Sequence, residues 1–333
     1  MLNQSLKLNT QVFSKDVEQV PIRKGFGQGL VVAGERDKNV VALCADLTES
    51  TQMHLFKERF PERFVEIGVA EQNLVTVASG MSAMGKIPFC SSYAMFSPGR
   101  NWEQIRTTIC YNDRGVIVVG SHAGISVGPD GGTHQAVEDI ALMRVLPNMI
   151  VISPCDAIEA KKATLALAQI KKPAYLRLAR EKTPIITTEE TPFEIGKANL
   201  VWLPDHGLAD VGIIATGALV HKALLVAKEM EQKNIKVKVL NIHTIKPLDE
   251  ESVLKLAQET RALVTVEEHQ ISGGLGSAIA EYLSRTYPVP IEFVGVKNLF
   301  GQSGTPAELI EHYEMGEESI KQALLKVIKR RTH

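Results

Sequence analysis

The amino-acid sequence predicts an α/β fold in which a mostly parallel sheet carries helices on both faces and is followed by a smaller α/β domain. Short runs rich in β-branched residues alternate with longer amphipathic runs, which is typical of strands followed by helices. One segment, "EKTPIITTEETPFEIGKAN" at 181–199, is rich in Thr, Pro and Glu and interrupts that alternation. A chain of 333 residues, 44% of them hydrophobic, is long enough for about two domains.

The first series of runs lies before the interrupting segment. In chain order, strand before helix, its members are "NVVALCAD" and "TQMHLFKERF", "RFVEIG" and "AEQNLVTVASGMSAM", "KIPFCSSY" and "GRNWEQIRTTICYN", "RGVIVVGS" and "HQAVEDIALMRVL", "NMIVISP" and "DAIEAKKATLALAQI", and finally the strand "PAYLRLA". Helices that connect parallel strands cover both faces of the sheet. We therefore expect the functional loops at the carboxyl ends of these strands.

A second, smaller series follows the interrupting segment. Its members are "DVGIIATG" and "ALVHKALLVAKEMEQK", "IKVKVLNI" and "LDEESVLKLAQET", "RALVTVEEH" and "GGLGSAIAEYLSRT", then "PIEFVGV" and a helical tail after Pro306. A linker-like composition between two α/β series predicts a domain boundary there. We expect a first domain at 15–183, a linker at 184–198 and a second domain at 199–333.

Charge and composition argue against several classes of partner. The net charge is −1 and no basic tract stands out, so we expect neither nucleic acid nor an anionic membrane as a partner. The first twenty residues lack the apolar core of a signal peptide, and no run approaches the ~20 apolar residues of a membrane span, which predicts a cytoplasmic protein. The 4 cysteines stand singly, which favours buried thiols over a metal site or disulfides.

Two glycine motifs have weak functional interpretations. "GISVG" at 124–128 matches the G-x-S-x-G spelling of a hydrolase nucleophile elbow, but "VGPDGGT" after Ser126 cannot continue as the helix that an elbow requires. "GGLGSAIA" at 273–280 follows a strand and opens a helix, yet it lacks the full dinucleotide-binding spacing. A tight turn with close helix packing is the better interpretation of the second motif.

The loop "GSHAGISVGPDGGTHQ" at 120–135 is more informative. It follows the apolar strand "GVIVVG" and carries His122, Asp130 and His134 among several glycines. Two imidazoles and a carboxylate at a strand end supply donors, acceptors and a titratable proton near pH 7. The alternative is a solvated turn, and a metal site is less favoured because no third ligand lies at short spacing. We expect a ligand-binding loop.

Glu71 is a single acid at the head of the apolar run "FVEIGVAEQNLVTVASGMSAMG" at 64–85, with no lysine or arginine near it in sequence. An acid in the first turn of a helix is favoured by the helix dipole, so a purely structural role is one interpretation. The other interpretation is that Glu71 is a buried acid without a basic partner, which predicts a chemical role.

Four segments taken together carry a family resemblance: "ADLTES" at 45–50, "EIGVAEQN" at 66–73, "SSYAMFSPGR" at 91–100 and "SHAGISVGPDGGTHQ" at 121–135. In order and spacing they resemble the pyrimidine-binding half of the thiamine diphosphate enzymes, and transketolases most closely. "VEEHQISGGLGSA" resembles the C-terminal domain of the same family. The resemblance covers nearly the whole chain and implies the thiamine diphosphate pyrimidine-binding fold.

The resemblance implies a cofactor role for five residues. The glutamate at the position of Glu71 bonds N1′ of the aminopyrimidine and promotes the imino tautomer, whose 4′-nitrogen removes the C2 proton of the thiazolium to form the ylid. Tyr93 and Phe96 match aromatic positions that stack on the aminopyrimidine. Asp46 and Leu47 match residues beside the cofactor near the subunit contact.

The resemblance also implies a sugar phosphate site. His122 and His134 match histidines that bond the sugar hydroxyls, and His122 joins Glu71 as a catalytic candidate. Asp130 matches the carboxylate that recognises the 2-hydroxyl of the acceptor. Guanidinium groups bind phosphate oxygens in pairs. The matching phosphate clamp comprises Arg23, Ser50 and Arg180.

One family motif is missing from the sequence. Family members hold the diphosphate and Mg²⁺ with a Gly-Asp-Gly motif in a separate N-terminal domain, and no Gly-Asp-Gly occurs here. The resemblance therefore implies the C-terminal subunit of a split transketolase, whose N-terminal subunit is a second chain. We expect an α2β2 heterotetramer in which the partner holds most of the Mg²⁺ site and this chain holds no metal.

The function implied is transfer of a two-carbon ketol unit from a ketose phosphate to an aldose phosphate, as in the pentose phosphate pathway. Two alternatives use a similar glutamate. One is the β subunit of a 2-oxo acid dehydrogenase, which needs no phosphate clamp. The other is a deoxyxylulose-phosphate synthase, which is usually one chain and usually lacks a histidine at the place of His122.

Overall fold

The structure is a computed structural model that describes residues 1–331. Up to residue 184 the strands are β1 (Gln19–Pro21), β2 (Val40–Cys44), β3 (Phe64–Glu66), β4 (Ile87–Tyr93), β5 (Ile117–Ser121), β6 (Ile150–Ile152), β7 (Ala174–Arg177) and β8 (Lys182–Pro184). The α-helices of this part are α1 (Ile22–Arg36), α2 (His54–Arg59), α3 (Glu71–Ala83), α4 (Trp102–Gln104), α5 (Asp139–Arg144) and α6 (Ala157–Leu167). A π-helical segment, Ile105–Cys110, continues α4.

The remaining elements form the second half of the fold. Its strands are β9 (Asn199–Trp202), β10 (Val211–Ala215), β11 (Val237–Asn241), β12 (Thr244–Lys246), β13 (Leu263–Gln270) and β14 (Ile291–Val296). Its helices are α7 (Val220–Gln232), α8 (Glu250–Thr260), α9 (Leu275–Thr286), α10 (Pro306–His312) and α11 (Glu317–Arg331). Short 3-10 helices are Gln4–Leu6, Pro61–Arg63, Ile125–Asp130 and Gly217–Leu219.

The larger sheet has seven strands in the order β12-β6-β7-β5-β4-β2-β3. Its neighbours are parallel except for β12, which comes from the second half of the chain and pairs antiparallel with β6. All five residues of β2 and of β5 are buried, as expected for parallel strands covered on both faces. The predicted α/β class with a mostly parallel sheet is therefore confirmed.

The smaller sheet has five strands in the order β14-β13-β10-β11-β9. Only β9 is antiparallel to its neighbour. A third, two-stranded sheet pairs β1 with β8. Strand β8 ends at Pro184, the first residue of the segment predicted as a linker at 184–198. Within that segment, the backbone amides of Ile186 and Thr187 donate to the carboxylate of Asp156 at 2.8 and 2.6 Å.

Side chains alternate between two hydrophobic cores along the strands of the larger sheet. In β2, Val40 and Ala42 belong to the core that includes residues of α1 and α6, whereas Val41 and Leu43 belong to a second core. That second core also contains residues of α3, α8 and α9, so it joins the two halves of the chain. A third core packs the smaller sheet against α7, α10 and α11.

Several elements were not expected from the sequence. Helix α1 was missed because Gly25, Gly27, Gly29 and Gly34 interrupt its apolar pattern and lower its helix propensity. The structure shows the reason for one of them: a Cβ on Gly25 would lie 1.8 Å from the carbonyl oxygen of Ala157 in α6. Strands β1, β8, β9 and β12, which have only three or four residues each, were also missed.

All four cysteines are buried and unpaired, as predicted. No helix within residues 1–331 is long and apolar enough to cross a membrane.

Candidate active site

The predicted site residues come together where the parallel strands of the larger sheet end. Tyr93 is the last residue of β4, and His122 directly follows β5. Glu71 is the first residue of α3, the helix that follows β3. Because β2 to β5 are neighbours in the sheet, their carboxyl ends gather these side chains at one edge.

Stacked rings form a platform made of Tyr93, Phe96, His122 and His134. The ring of Tyr93 stacks on His122 with centroids 3.9 Å apart and lies 5.9 Å from Phe96 at an interplanar angle of 13°. His134 meets the Phe96 ring edge-on at 5.3 Å. The arrangement offers flat apolar surface beside groups that can donate and accept hydrogen bonds.

Glu71 is buried, but the expectation that it lacks a basic partner is wrong. Nη1 of Arg100 lies 3.0 and 3.2 Å from the two carboxylate oxygens of Glu71. The same guanidinium lies over the Phe96 ring, 4.1 Å from its centroid. Asn101 Nδ2 donates to the backbone carbonyl of Glu71 at 2.8 Å. The partner is 29 residues away in sequence, so only the fold brings it to the acid.

His122 is held in a left-handed backbone conformation, with φ +56°. Its Nδ1 lies 2.9 Å from the hydroxyl of Ser121. Burial, helped by the charges of Arg23 and Arg180 and by His134, lowers the pKa of His122 to about 3. The imidazole of His122 is therefore neutral at pH 7 and does not supply the expected titratable proton near pH 7, but one ring nitrogen can donate a hydrogen bond and the other can accept one.

Two arginines meet beside His122. Arg23 donates from Nε to the carbonyl oxygen of Arg180 at 3.2 Å and from Nη1 to the carbonyl oxygen of Ser50. Burial and the positive charge of Arg180 lower the pKa of Arg23. Arg180 donates to the carbonyl of Val127, and its Nη1 lies 4.0 Å from the carboxylate of Asp130. The structure thus places Arg23, Ser50, Arg180 and Asp130 in one cluster.

The loop after His122 forms a short 3-10 helix, Ile125–Asp130, between Gly124 and Gly131, both of which have positive φ. Ser126 lies inside this helix, and its amide donates to Oε1 of Glu268 at 2.6 Å. The next α-helix, α5, begins only at Asp139, so no α-helix starts directly after Ser126, which agrees with the prediction that "GISVG" is not a nucleophile elbow.

Asp46 and Leu47 follow β2, and Asp46 also has positive φ (57°). The amide of Asp46 donates to Oε1 of Glu66 at 2.8 Å, and Glu66 also accepts from the Thr48 hydroxyl and the Gly68 amide. Burial opposes ionisation of Glu66, but these bonds outweigh it and hold its pKa below the usual value. Glu66 fixes the turn that carries Asp46.

The sequence alone indicates no role for Glu66, Arg100 or Asn101. Glu66 had a weak signal, since it is an acid at a strand end two residues before a glycine. The roles of Arg100 and Asn101 depend on their contacts to α3, which no local pattern encodes. No group of three or more His, Cys, Asp or Glu side chains within residues 1–331 is arranged to hold a metal ion.

Two family descriptions match this chain. Residues 18–185 match "Transketolase, pyrimidine binding domain", and residues 202–320 match "Transketolase, C-terminal domain".

Individual relatives agree with these matches. A "Putative transketolase C-terminal section" from Methanocaldococcus jannaschii is 42% identical over 93% of this chain and 96% of its own length. A "6-deoxy-6-sulfo-D-fructose transketolase subunit SqwH" from Clostridium sp. is 39% identical over 96% and 98% of the two chains. A solved "Split gene transketolase, inactive beta4 tetramer" superposes with a TM-score of 0.86 at 41% identity, over 93% and 99% of the two chains. The chain therefore belongs to the transketolase family and contributes the pyrimidine-binding and C-terminal domains to a transketolase-type enzyme.

Proposed function

We propose that this chain is one subunit of a two-chain, thiamine-diphosphate-dependent transketolase that moves a two-carbon ketol unit from a ketose phosphate to an aldose phosphate. One observation carries the proposal. The buried carboxylate of Glu71 and the ring of Phe96 contact the same guanidinium, that of Arg100, so acid and aromatic platform are direct neighbours. The family match favours this function over the 2-oxo acid dehydrogenase and deoxyxylulose-phosphate synthase alternatives.

The residues present fit the aminopyrimidine of thiamine diphosphate. Tyr93 and Phe96 would supply apolar ring surface for a heteroaromatic ring, and the buried carboxylate of Glu71 would bond a ring nitrogen. In this proposal Asp46 and Leu47, which follow β2, line the cofactor at the subunit contact. When bound, the cofactor supplies a nucleophilic carbon and an electron sink for the transferred unit.

The remaining residues act on the sugar phosphate. His122 and the nearby His134 bond substrate hydroxyls, and the neutral imidazole of His122 donates a hydrogen bond from one ring nitrogen and accepts one at the other. Asp130 accepts a hydrogen bond from the acceptor's 2-hydroxyl. The positive charge of Arg180 acts on Arg23 and lowers its pKa, so the two guanidinium groups lie within electrostatic reach of each other, and this local positive charge suits a phosphate. Ser50 adds its hydroxyl to that clamp.

The second chain supplies the parts that this sequence lacks. No Gly-Asp-Gly motif occurs in it, and two of the relatives are described as a C-terminal section and a subunit. We therefore assign the diphosphate and most of the Mg²⁺ coordination to an N-terminal transketolase subunit. The assembly is an α2β2 heterotetramer in the cytoplasm, and its sugar phosphates are those of the pentose phosphate pathway.

The proposal is tested by isolating the tagged chain from its source with thiamine diphosphate and Mg²⁺ and examining it by native mass spectrometry. We expect a second polypeptide and bound cofactor. The purified complex should transfer ketol units between sugar phosphates, and it should neither decarboxylate pyruvate nor condense it with glyceraldehyde phosphate.

The matched variants are Glu71→Ala in the site and Glu281→Ala on the surface. Glu71→Ala should reduce ketol transfer by at least a hundredfold and leave complex formation unchanged, whereas Glu281→Ala should retain activity. Near-normal turnover by Glu71→Ala, or pyruvate-dependent activity of the wild type, would overturn the assignment.

A further inference from the structure

A cavity of about 590 Å³ lies between the two halves of the chain, apart from the ring platform. Its walls come from the β1 and β8 ribbon, the 3-10 helix Ile125–Asp130, the start of α7, the end of β13 and helix α10. Its volume lies within the range of sites for small organic molecules. None of the residues assigned above to cofactor or substrate lines it.

Buried polar side chains, among them Glu268 and Ser126, line this interdomain cavity. Glu268 is 4% exposed and Ser126 is 8% exposed. The hydroxyl of Ser126 lies beside the carboxylate of Glu268, but it makes no hydrogen bond of acceptable geometry within residues 1–331. Buried polar atoms are normally paired, so an unpaired hydroxyl at a cavity wall indicates a missing partner.

The carboxylate of Glu268 also has capacity to accept further hydrogen bonds. Among the described residues it accepts a hydrogen bond from the Ser126 amide, through Oε1. Arg177 lies close, but it donates to the backbone carbonyl of Glu268 at 2.8 Å and directs its Nε to Asp139. Burial raises the pKa of Glu268, and the positive charge of Arg177 partly offsets this. A carboxylate only accepts hydrogen bonds, so its partner must donate.

The other residues that line the cavity indicate the polarity and charge of the rest of the ligand. Ala218, Leu219 and Ile310 give the cavity an apolar surface. Burial lowers the pKa of His221, which is therefore neutral at pH 7 and adds no positive charge. The remaining charged groups, Lys182, Lys222, Glu181 and Glu317, balance in sign and do not favour an anion.

We propose that the interdomain cavity binds a small molecule with an amine or amidinium group on a compact apolar body. The cationic group bonds the carboxylate of Glu268 and the hydroxyl of Ser126, because N–H donors bind an ionised acceptor more strongly than a neutral one. The apolar body packs against Leu219 and Ile310. This site is additional to the transketolase site and does not depend on that activity.

The test titrates the full chain with benzamidine by isothermal calorimetry and ligand-observed NMR. Benzoate and benzyl alcohol serve as charge-reversed and neutral controls of similar size. We expect saturable one-site binding of benzamidine with a Kd of about 1 mM, as is usual for so small a ligand, and at least tenfold weaker binding of both controls.

Two variants locate the site. Ala307→Trp fills the cavity from an exposed position on α10 and should abolish binding, whereas Ala307→Ser should retain it. Glu268→Gln keeps an acceptor for the Ser126 amide but removes the negative charge. It should therefore weaken the binding of benzamidine at least tenfold. Circular dichroism verifies that each variant is folded. Absence of saturable binding at 10 times the expected Kd, equal binding of benzoate, or unchanged binding by Ala307→Trp would overturn the proposal.

Discussion

At the scale of single residues, the ion pair between Glu71 and Arg100 is the feature that most changes the interpretation of the site. Glu71 is buried, whereas half of the Arg100 side chain is exposed. A buried carboxylate that loses its cationic partner is destabilised, although solvent reduces the effect here. The pair therefore stabilises the fold at the carboxylate to which we assign the contact with the cofactor.

This predicts a measurable coupling between the two residues. Arg100→Met should lower the free energy of unfolding by about 1–2 kcal/mol, because the Glu71 charge is left unpaired. In the Glu71→Gln background, Arg100→Met should lower the free energy of unfolding by a smaller amount. Urea denaturation of the two single variants and the double variant should give a coupling energy of about 1 kcal/mol. Strictly additive effects would show that the ion pair contributes nothing to stability.

The protonation of His122 can be followed directly. Its pKa of about 3 predicts that its imidazole resonances in a histidine-labelled sample stay unchanged from pH 8 to pH 5. A midpoint near pH 6.5 for His122 would contradict its neutral, buried state.

The same shift has a defined effect on stability. The unfolded chain takes up a proton at this histidine near pH 6.5, whereas the folded chain does not until about pH 3. His122 therefore contributes a loss of stability that grows as the pH falls below 6.5.

At the scale of elements, helix α1 illustrates what glycine does in a packed pair of helices. Gly25 faces the backbone of Ala157 in α6, and a methyl group at Gly25 has no space. Gly80, an exposed glycine of α3, has no atom within 4 Å of the corresponding position. The two glycines share a helical conformation but differ in their surroundings.

Substitution by alanine should therefore have opposite effects at these positions. Gly25→Ala should lower the free energy of unfolding by about 2–3 kcal/mol, because α1 and α6 must separate. Gly80→Ala should raise it by up to about 1 kcal/mol through higher helix propensity. Thermal and urea denaturation of both variants checks the pair, and equal effects would contradict the role assigned to Gly25.

Elements with a strong local pattern were predictable from the sequence. The runs around β2, β4 and β5 are apolar and short, and α3 and α7 are longer and amphipathic, so their types and order were correct. Helix α1 was not predictable, because its stability comes from contact with α6 rather than from its own residues.

The candidate site divides in a similar way. Glu71, Tyr93 and His122 stand at predicted strand or helix ends, and Asp130 lies in the loop after a predicted strand, where functional residues of parallel sheets are expected. The contact between Arg100 and Glu71 and that between Arg177 and Glu268 link residues 29 and 91 positions apart. Such contacts arise from the tertiary fold, and the periodicity of the sequence does not predict them.

At the scale of the whole molecule, Arg177 connects the two halves. It is buried at the end of β7, pairs with Asp139 at 2.8 Å and donates to the carbonyl of Glu268 in the second half. The attraction of Asp139 outweighs burial and raises the pKa of Arg177, so the residue is charged at every physiological pH.

Removal of this charge should destabilise both halves together. Arg177→Met leaves Asp139 buried without its partner and should reduce the free energy of unfolding by about 3–5 kcal/mol. The exposed pair of Lys172 and Asp113 is the control, and Lys172→Met should cost less than about 1 kcal/mol. We expect the two halves to unfold in one cooperative transition. Two separate transitions in calorimetry of the wild type would contradict this expectation.

Strand β12 limits where the coding sequence of a split transketolase can be divided into two genes. A reading frame that ended in the segment between the two series would yield a sheet whose edge strand, β6, exposes unpaired amide and carbonyl groups. The other product would carry β12 with no strand beside it. Both polypeptides would tend to associate through these edges, so a gene boundary at this point is disfavoured, whereas a boundary ahead of β1 leaves both sheets intact.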